Sequence, residues 1–363
     1  MNIKIEDILD KNLLTEMLDK RYVKKQNHPT DPLFIYNYTQ NAQFDKVWNS
    51  VTLACRGLIT NADDVVLARP FSKFFNLAEH DISELPSGNV EVTEKLDGSL
   101  GILYPNQSGY ALATRGSFNS EQCLHATRIW DSRYADSFSP NPDWTYLFEI
   151  VYPTNRIVVN YGDVNDLFLL GAIDIKSGCS VSFDEACTSW NGPVVEKHPY
   201  TTLTEAIAVP SRDNREGLVV RYIDSDLRVK LKHEEYVRLH RIITGVSERR
   251  IWEALSTGVD LDKWLDGVPD EFFSFVTSTR DKFFLDKASL EVEIENKFAE
   301  VVASLPENYS RKDFAVKVKE LSSWSLFKAL FLRLDNKSYD HIIWRELKPS
   351  EHSTVWGSAA EVD

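Results

Sequence analysis

Up to about Lys232 the apolar positions come in short runs separated by turn residues. Val65 to Leu67, Val90 to Thr93, Leu100 to Tyr104, Tyr146 to Val151, Leu167 to Ile173 and Gly217 to Tyr222 read as β-strands. Beyond that point the period changes. Leu290, Ile294, Phe298, Val301 and Leu305 recur every three or four residues, and so do Trp324, Phe327, Phe331 and Leu334, which predicts helices that each bury one face. Glycine follows the same change: of 15 in the chain, only Gly357 lies beyond Gly267. The pattern predicts an α+β fold with mostly antiparallel sheets over residues 1–244, followed by an all-helical C-terminal domain over 245–363. The boundary falls near Gly245, where a glycine follows a periodic run. No internal repeat or low-complexity linker is present.

Composition narrows the class. A chain of 363 residues, 43% hydrophobic, has material for two domains and a large core, so general disorder is excluded. No apolar run approaches the ~18 residues of a membrane span, and Met1 to Lys20 mixes acids with aliphatics, unlike an export signal. A soluble, cytoplasmic protein with no membrane partner is expected. Cys55, Cys123, Cys179 and Cys187 stand far apart with no C-x-x-C pair, which predicts reduced thiols and no zinc site. The net charge of -14 provides no global attraction for a polyanion, so any nucleic-acid contact must come from a local basic face.

The chemistry concentrates in Val90-Glu-Val-Thr-Glu-Lys95-Leu-Asp97-Gly98-Ser99-Leu-Gly-Ile-Leu-Tyr104. Alternation at Val90 and Val92 predicts a strand, Asp-Gly-Ser a turn, and Leu100 to Tyr104 the returning strand, so Lys95 stands at a strand end. A free lysine, with pKa near ~10.4, is protonated at neutral pH and becomes nucleophilic only with desolvation or cationic neighbours. Leu227-Arg-Val-Lys230-Leu-Lys232 offers such neighbours: alternation puts Arg228, Lys230 and Lys232 on one strand face. The stretch from Lys230 to Arg250 is net positive, with six Lys or Arg against three acids. The chain contains no Gly-Lys dipeptide, so a Walker-type phosphate loop is absent.

Taken together in order, these segments resemble the covalent nucleotidyltransferases, and within them the phage RNA ligase 1 group of ATP-dependent RNA ligases. Lys95-Leu-Asp97-Gly98-Ser99 is similar to the motif whose lysine becomes AMP-modified. Phe148-Glu149-Ile-Val-Tyr-Pro-Thr-Asn-Arg156 resembles the segment whose glutamate holds the ribose. Glu216-Gly217-Leu-Val-Val resembles the motif near metal and phosphate, and Lys230-Leu-Lys232 with Tyr236 the closing lysine pair. Cys55-Arg56-Gly57 and Arg69-Pro-Phe-Ser-Lys73-Phe74-Phe75-Asn76 are similar to segments used for ATP phosphates and adenine. The resemblance runs from about Tyr36 to Tyr236. One departure is Arg115, in Thr114-Arg115-Gly116-Ser117, where relatives often carry lysine; a guanidinium keeps the charge but forms a planar fork.

The resemblance implies an RNA ligase that joins 5'-phosphate and 3'-hydroxyl ends through lysyl-AMP and adenylated RNA, with repair of RNA, a cleaved tRNA included, as its setting. Its cofactors would be ATP and Mg²⁺, with Mn²⁺ as an alternative; its partner would be RNA, and no obligate protein partner is implied. Lys95, Glu149, Glu216, Lys230 and Lys232 would carry the reaction. Arg56, Lys73, Phe75, Asp97, Gly98, Ser99, Arg115 and Tyr236 would hold the nucleotide, with Phe75 offering an apolar face near the adenine. Glu216, with Asp270 and Glu271, would hold the metal, and the helical domain would select RNA. Alternatives are a DNA ligase or capping guanylyltransferase of the same superfamily, and a catalytically silent RNA-end-binding protein. The helical C-terminus disfavours the first two, and the intact set of charged residues disfavours the third.

Overall fold

The computed structural model describes residues 3–261, 270–321 and 323–350. In chain order its strands are β1 (Val23–Asn27), β2 (Leu33–Tyr38), β3 (Arg56–Asn61), β4 (Val66–Ala68), β5 (Phe75–Asn76), β6 (Val90–Lys95) and β7 (Ser99–Asn106). They continue with β8 (Gly109–Ala113), β9 (Trp144–Val151), β10 (Asp166–Asp174), β11 (Lys197–His198), β12 (Gly217–Tyr222) and β13 (Arg228–Lys232). Three sheets result, ordered β1-β2-β3-β4, β10-β9-β7-β8 and β11-β6-β12-β13-β5. The strand pairs are antiparallel apart from the parallel contact of β5 with β13.

Each sheet forms because alternate residues have somewhere dry to go. Ile35 and Ile59 of the first sheet meet Leu100, Ile102 and Leu147 of the second, and the second sheet's other face packs Leu103, Phe148 and Leu167 under Trp130 and Trp190. The central strand β9 is therefore buried almost throughout, as expected for a strand covered on both sides. In the third sheet Val92, Leu218, Val220 and Val229 share one apolar face with Ala206. At roughly 1.5–3 kcal/mol per buried aliphatic side chain, these layers leave the opposite face of β6, β12 and β13 free to carry charge.

The chain divides into two compact units, one ending at Val237 and the next beginning at Arg238. The division lies within the helix Glu234–Gly245; Gly245, which marked the boundary in the glycine pattern, closes that helix, whereas the contacts part inside it. In the second unit the helices Asp270–Ala303, Arg311–Glu320, Phe327–Leu334 and Asp340–Glu346 surround Ile294, Phe314, Val318, Leu330 and Ile343. The residues spaced at helical period, Leu290, Phe298, Val301 and Leu305 with Trp324, Phe327, Phe331 and Leu334, all pack on this core. The fold is thus α+β followed by a helical region. No helix among the described residues is long and apolar enough to cross a membrane.

Candidate active site

The third sheet builds the site by register. Across β6, β12 and β13 the residues line up in rows: Lys95, Gly217 and Lys232; then Thr93, Val219 and Lys230; then Glu91, Arg221 and Arg228. With strands about 4.8 Å apart, the first and third rows place charged side chains from β6 and β13 on either side of a β12 residue, and the second pairs Thr93 with Lys230 across Val219. Alternation explains the selection: Val90 and Val92 are buried in the sheet's apolar face, while Glu91, Thr93 and Lys95 point the other way.

Glu216 joins the first row. Its buried carboxylate accepts a hydrogen bond from Lys95 Nζ at 2.7 Å on Oε2 and faces Lys232 Nζ at 2.9 Å on Oε1. The close approach depends on the next residue, since Gly217 has φ +150° and a Cβ there would lie 1.9 Å from the Leu231 carbonyl oxygen. No other residue type fits that backbone.

Beside the row lies a cleft of about 740 Å³, open to solvent, whose lining includes Lys95, Lys230, Arg56 and Glu149. Phe71, Phe74, Leu170 and Val219 form its apolar walls. Aromatic faces hold several of its cations. Phe74 sits 5.6 Å from the Arg56 guanidinium and 5.0 Å from Lys230 Nζ, and Phe71 sits 4.3 Å from that of Arg228, distances at which the ring quadrupole attracts positive charge. Burial pushes the Arg228 guanidinium down to about 10, against the pull of Asp226. Glu149 reaches the cleft from the middle of β9, opposite Leu100. A Cβ at Gly98 would lie 3.2 Å from Glu149 Oε1 and 2.5 Å from the Ile150 carbonyl, so the glycine clears space for that carboxylate.

Asp97 has a different task. Its Oδ2 accepts from the amides of Val158 and Val159, both at 2.8 Å, its Oδ1 accepts from the Tyr236 hydroxyl at 2.8 Å, and its own amide donates to Tyr161 Oη at 2.7 Å. Burial first, and then the charge of Glu216, push the Asp97 carboxyl above its ordinary range; the hydrogen bonds to it pull the other way. Tyr236, fixed by Asp97, presents its ring 5.1 Å from Lys232 Nζ. Ser99 Oγ accepts from Asn155 Nδ2 at 3.1 Å, which ties the turn after Lys95 to the segment after Glu149.

The remaining cations form a second group. Lys73 Nζ lies 5.4, 5.7 and 5.5 Å from the rings of Tyr38, Trp48 and Phe75. Arg115 stacks on the same Tyr38 at 5.1 Å and donates to its hydroxyl at 2.9 Å.

The structure therefore brings Lys95, Glu149, Lys230 and Arg56 to one cleft, ties Glu216 and Lys232 to Lys95, and fixes Asp97 to Tyr236 in the turn that follows Lys95. Phe74 lines the cleft, and Phe75 packs edge-on to Trp48 at 5.4 Å beside Lys73. Phe74 precedes, and Phe75 opens, a strand of only two residues, too short for a period that tells which ring faces inward. Asp270 and Glu271 open the helix Asp270–Ala303, and their side chains lie outside the described residues. The sequence reading also passed over Glu94 and Tyr161. Their partners lie 118 and 64 positions away in the chain, beyond the reach of any local pattern.

The model of the RNA ligase family of phage T4 type matches residues 54–236, half of the 363-residue chain. The RNA ligase of Rhodothermus phage RM378 is 24% identical, with 84% of this chain and 85% of that protein aligned. Among solved structures, an archaeal ATP-dependent RNA ligase is 11% identical over 90% of this chain and 96% of that one, at a TM-score of 0.46. Naegleria gruberi RNA ligase with PPi is 19% identical over 42% of this chain and about half, 52%, of that one, at a TM-score of 0.34.

Proposed function

The chain belongs to the phage T4-type RNA ligase family of the nucleotidyltransferase superfamily, an RNA ligase that uses ATP, and from that premise we propose that Lys95 is the nucleophile of its first step. The observation that carries this reading is the pairing of Lys95 and Lys232 on the two oxygens of buried Glu216, 2.7 and 2.9 Å away, with Lys95 itself lining a cleft of cations and aromatic rings. The aromatic walls and cations of this cleft suit a base and its phosphates.

In that step Lys95 Nζ forms a bond to the α-phosphorus of ATP as the bond from phosphorus to pyrophosphate breaks, and the proton leaving Lys95 has an acceptor in Glu216 Oε2. Lys230 and Lys232 stabilise charge that grows on the α-phosphate, which lowers the barrier only so far as they bind the transition state better than ATP. Arg56 and Lys73 would take the outgoing pyrophosphate, Arg115 would add a phosphate contact, and Glu149 would accept from the ribose hydroxyls. The residues also fit a divalent metal: Glu149 lines the cleft and Glu216 sits against Lys95 of its wall, and Mg²⁺ commonly uses one or two carboxylates with several waters. When bound, Mg²⁺ or Mn²⁺ would supply positive charge for the phosphate oxygens. The AMP then passes from Lys95 to an RNA 5'-phosphate, and a 3'-hydroxyl displaces it to form the phosphodiester. RNA repair is the setting we assign, with a cleaved tRNA as the structured substrate to try.

Incubation with α-labelled ATP and Mg²⁺ tests the reading. Label should attach to the wild-type chain in an acid-stable form, and Lys95→Ala should abolish it without loss of fold. Persistent labelling of the variant would reject Lys95 as nucleophile.

A further inference from the structure

Behind the Lys95 row, on the other face of β6, lies a charge cluster that the proposed steps do not use. Glu94 is 2% exposed. Its Oε2 accepts from Arg212 Nη2 at 2.6 Å and lies 2.9 Å from His198 Nε2, while Arg215 Nη1 is 3.7 Å from Oε1. The backbone continues the attachment: the Glu94 amide donates to the Glu196 carbonyl at 2.8 Å. Arg212 and Arg215 belong to the segment that leads directly into Glu216, and Glu94 is the residue before Lys95. One buried carboxylate thus ties the strand that carries Lys95 to the segment that carries its partner.

We propose that Glu94 is a positioning residue, which holds the Arg212–Arg215 segment so that Glu216 meets Lys95 and Lys232 at hydrogen-bond distance. The argument rests on geometry and cost. A carboxylate is buried only when charge partners and hydrogen bonds repay its desolvation, and here those partners sit on a segment with no strand or helix of its own between Pro210 and Glu216. On the other side the Glu216 carbonyl accepts from the His233 amide at 2.9 Å, so Glu216 is anchored from both flanks. The two arginines beside Glu94 also make this cluster of carboxylates and His198 a poor host for a cation, which leaves alignment as its task. Misplacement of a reacting group by about 1 Å can cost roughly a hundredfold in rate.

The proposal rests on Lys95 acting as nucleophile, and the test separates the two. Full-length protein carrying Glu94→Gln, Arg212→Gln or both is compared with wild type by single-turnover formation of lysyl-AMP across ATP and Mg²⁺ concentrations. Arg212→Gln should slow the step about tenfold at saturating ATP, with the ATP concentration for half-maximal rate within about twofold of wild type. Glu94→Gln should slow it at least as much, and the double variant should be no slower than Glu94→Gln alone, since both remove one tie. Glu94→Asp, which keeps the charge, should recover part of the rate. If Glu94→Gln does not fold, the rate of Arg212→Gln decides. A wild-type rate for Arg212→Gln, a change in ATP affinity alone, or additive losses in the double variant would overturn the assignment. Failure of the wild type itself to form lysyl-AMP would instead overturn the nucleophile.

Discussion

Asp97 is the residue at which site geometry and stability conflict most directly. Its carboxyl is raised by burial and by Glu216, so between its ordinary range, near ~3.9, and its higher folded value the native state binds more protons than the unfolded chain. Stability contributed by this group is therefore complete below the ordinary range and lost as pH rises through the folded value. Asp97→Asn cannot titrate, yet its amide oxygen can still accept from Val158 and Val159 while its NH₂ meets the Tyr236 hydroxyl. Relative to wild type, the variant should gain thermal stability as pH rises from about 4, then hold a constant difference. Melting temperatures of the two proteins from pH 3.5 to 8 check this; a difference that shrinks with pH would contradict the raised carboxyl. Among the lysines, Lys232→Ala should slow lysyl-AMP formation at saturating ATP more than it weakens ATP binding, because Lys232 is placed for charge that develops during displacement. An effect confined to ATP affinity, read from the same progress curves, would make Lys232 a ground-state phosphate ligand only.

At the level of elements, the row Lys95, Gly217, Lys232 depends on β12 lying close to β13. Gly217→Ala would set a Cβ 1.9 Å from the Leu231 carbonyl in a backbone of φ +150°, and should cost at least about 2 kcal/mol. Gly109 has φ +123° but nothing within 4 Å of its Cβ position, so Gly109→Ala should cost about 1 kcal/mol from backbone strain alone. Urea unfolding of both variants measures the difference, which isolates the clash; equal losses would mean that β13 moves aside freely. The same elements show what the sequence discloses. Alternation from Leu227 to Lys232 told which residues share the charged face, since Leu227, Val229 and Leu231 do pack together on the apolar side. Strand runs at Tyr146 and Leu167 stood out because buried central strands are apolar along their length. Phe74 and Phe75 were not separable, because the strand that Phe75 opens has only two residues and no period. Glu94 was invisible for another reason: a glutamate between Thr93 and Lys95 reads as solvated until the fold brings Arg212 and His198 to it from more than 100 positions away.

For the whole molecule, apolar clusters of the three sheets lie before His233, and one cluster of the helices spans Leu290 to Leu347. We propose the helical unit as the part that selects RNA, and this predicts separable losses on truncation. A chain cut after Gly245 keeps Lys95, Glu149, Glu216, the lysine pair and the Tyr236 hydroxyl on Asp97, so it should still form lysyl-AMP at a rate within a few-fold of the full chain. Sealing of a structured RNA such as a cleaved tRNA should fall at least tenfold more than sealing of a short single-stranded oligonucleotide, since only the former would lose contacts with the missing helices. Binding of either RNA should weaken with added salt, as phosphate contacts do, with a shallower slope for the truncated chain. The control is a folded product, established by circular dichroism and a cooperative melt. Equal sealing losses on both RNAs, with lysyl-AMP intact, would reject substrate selection by the helices. Loss of lysyl-AMP itself from a folded truncation would instead place a nucleotide or metal contact beyond Gly245, where Asp270 and Glu271 would be the carboxylates to replace next.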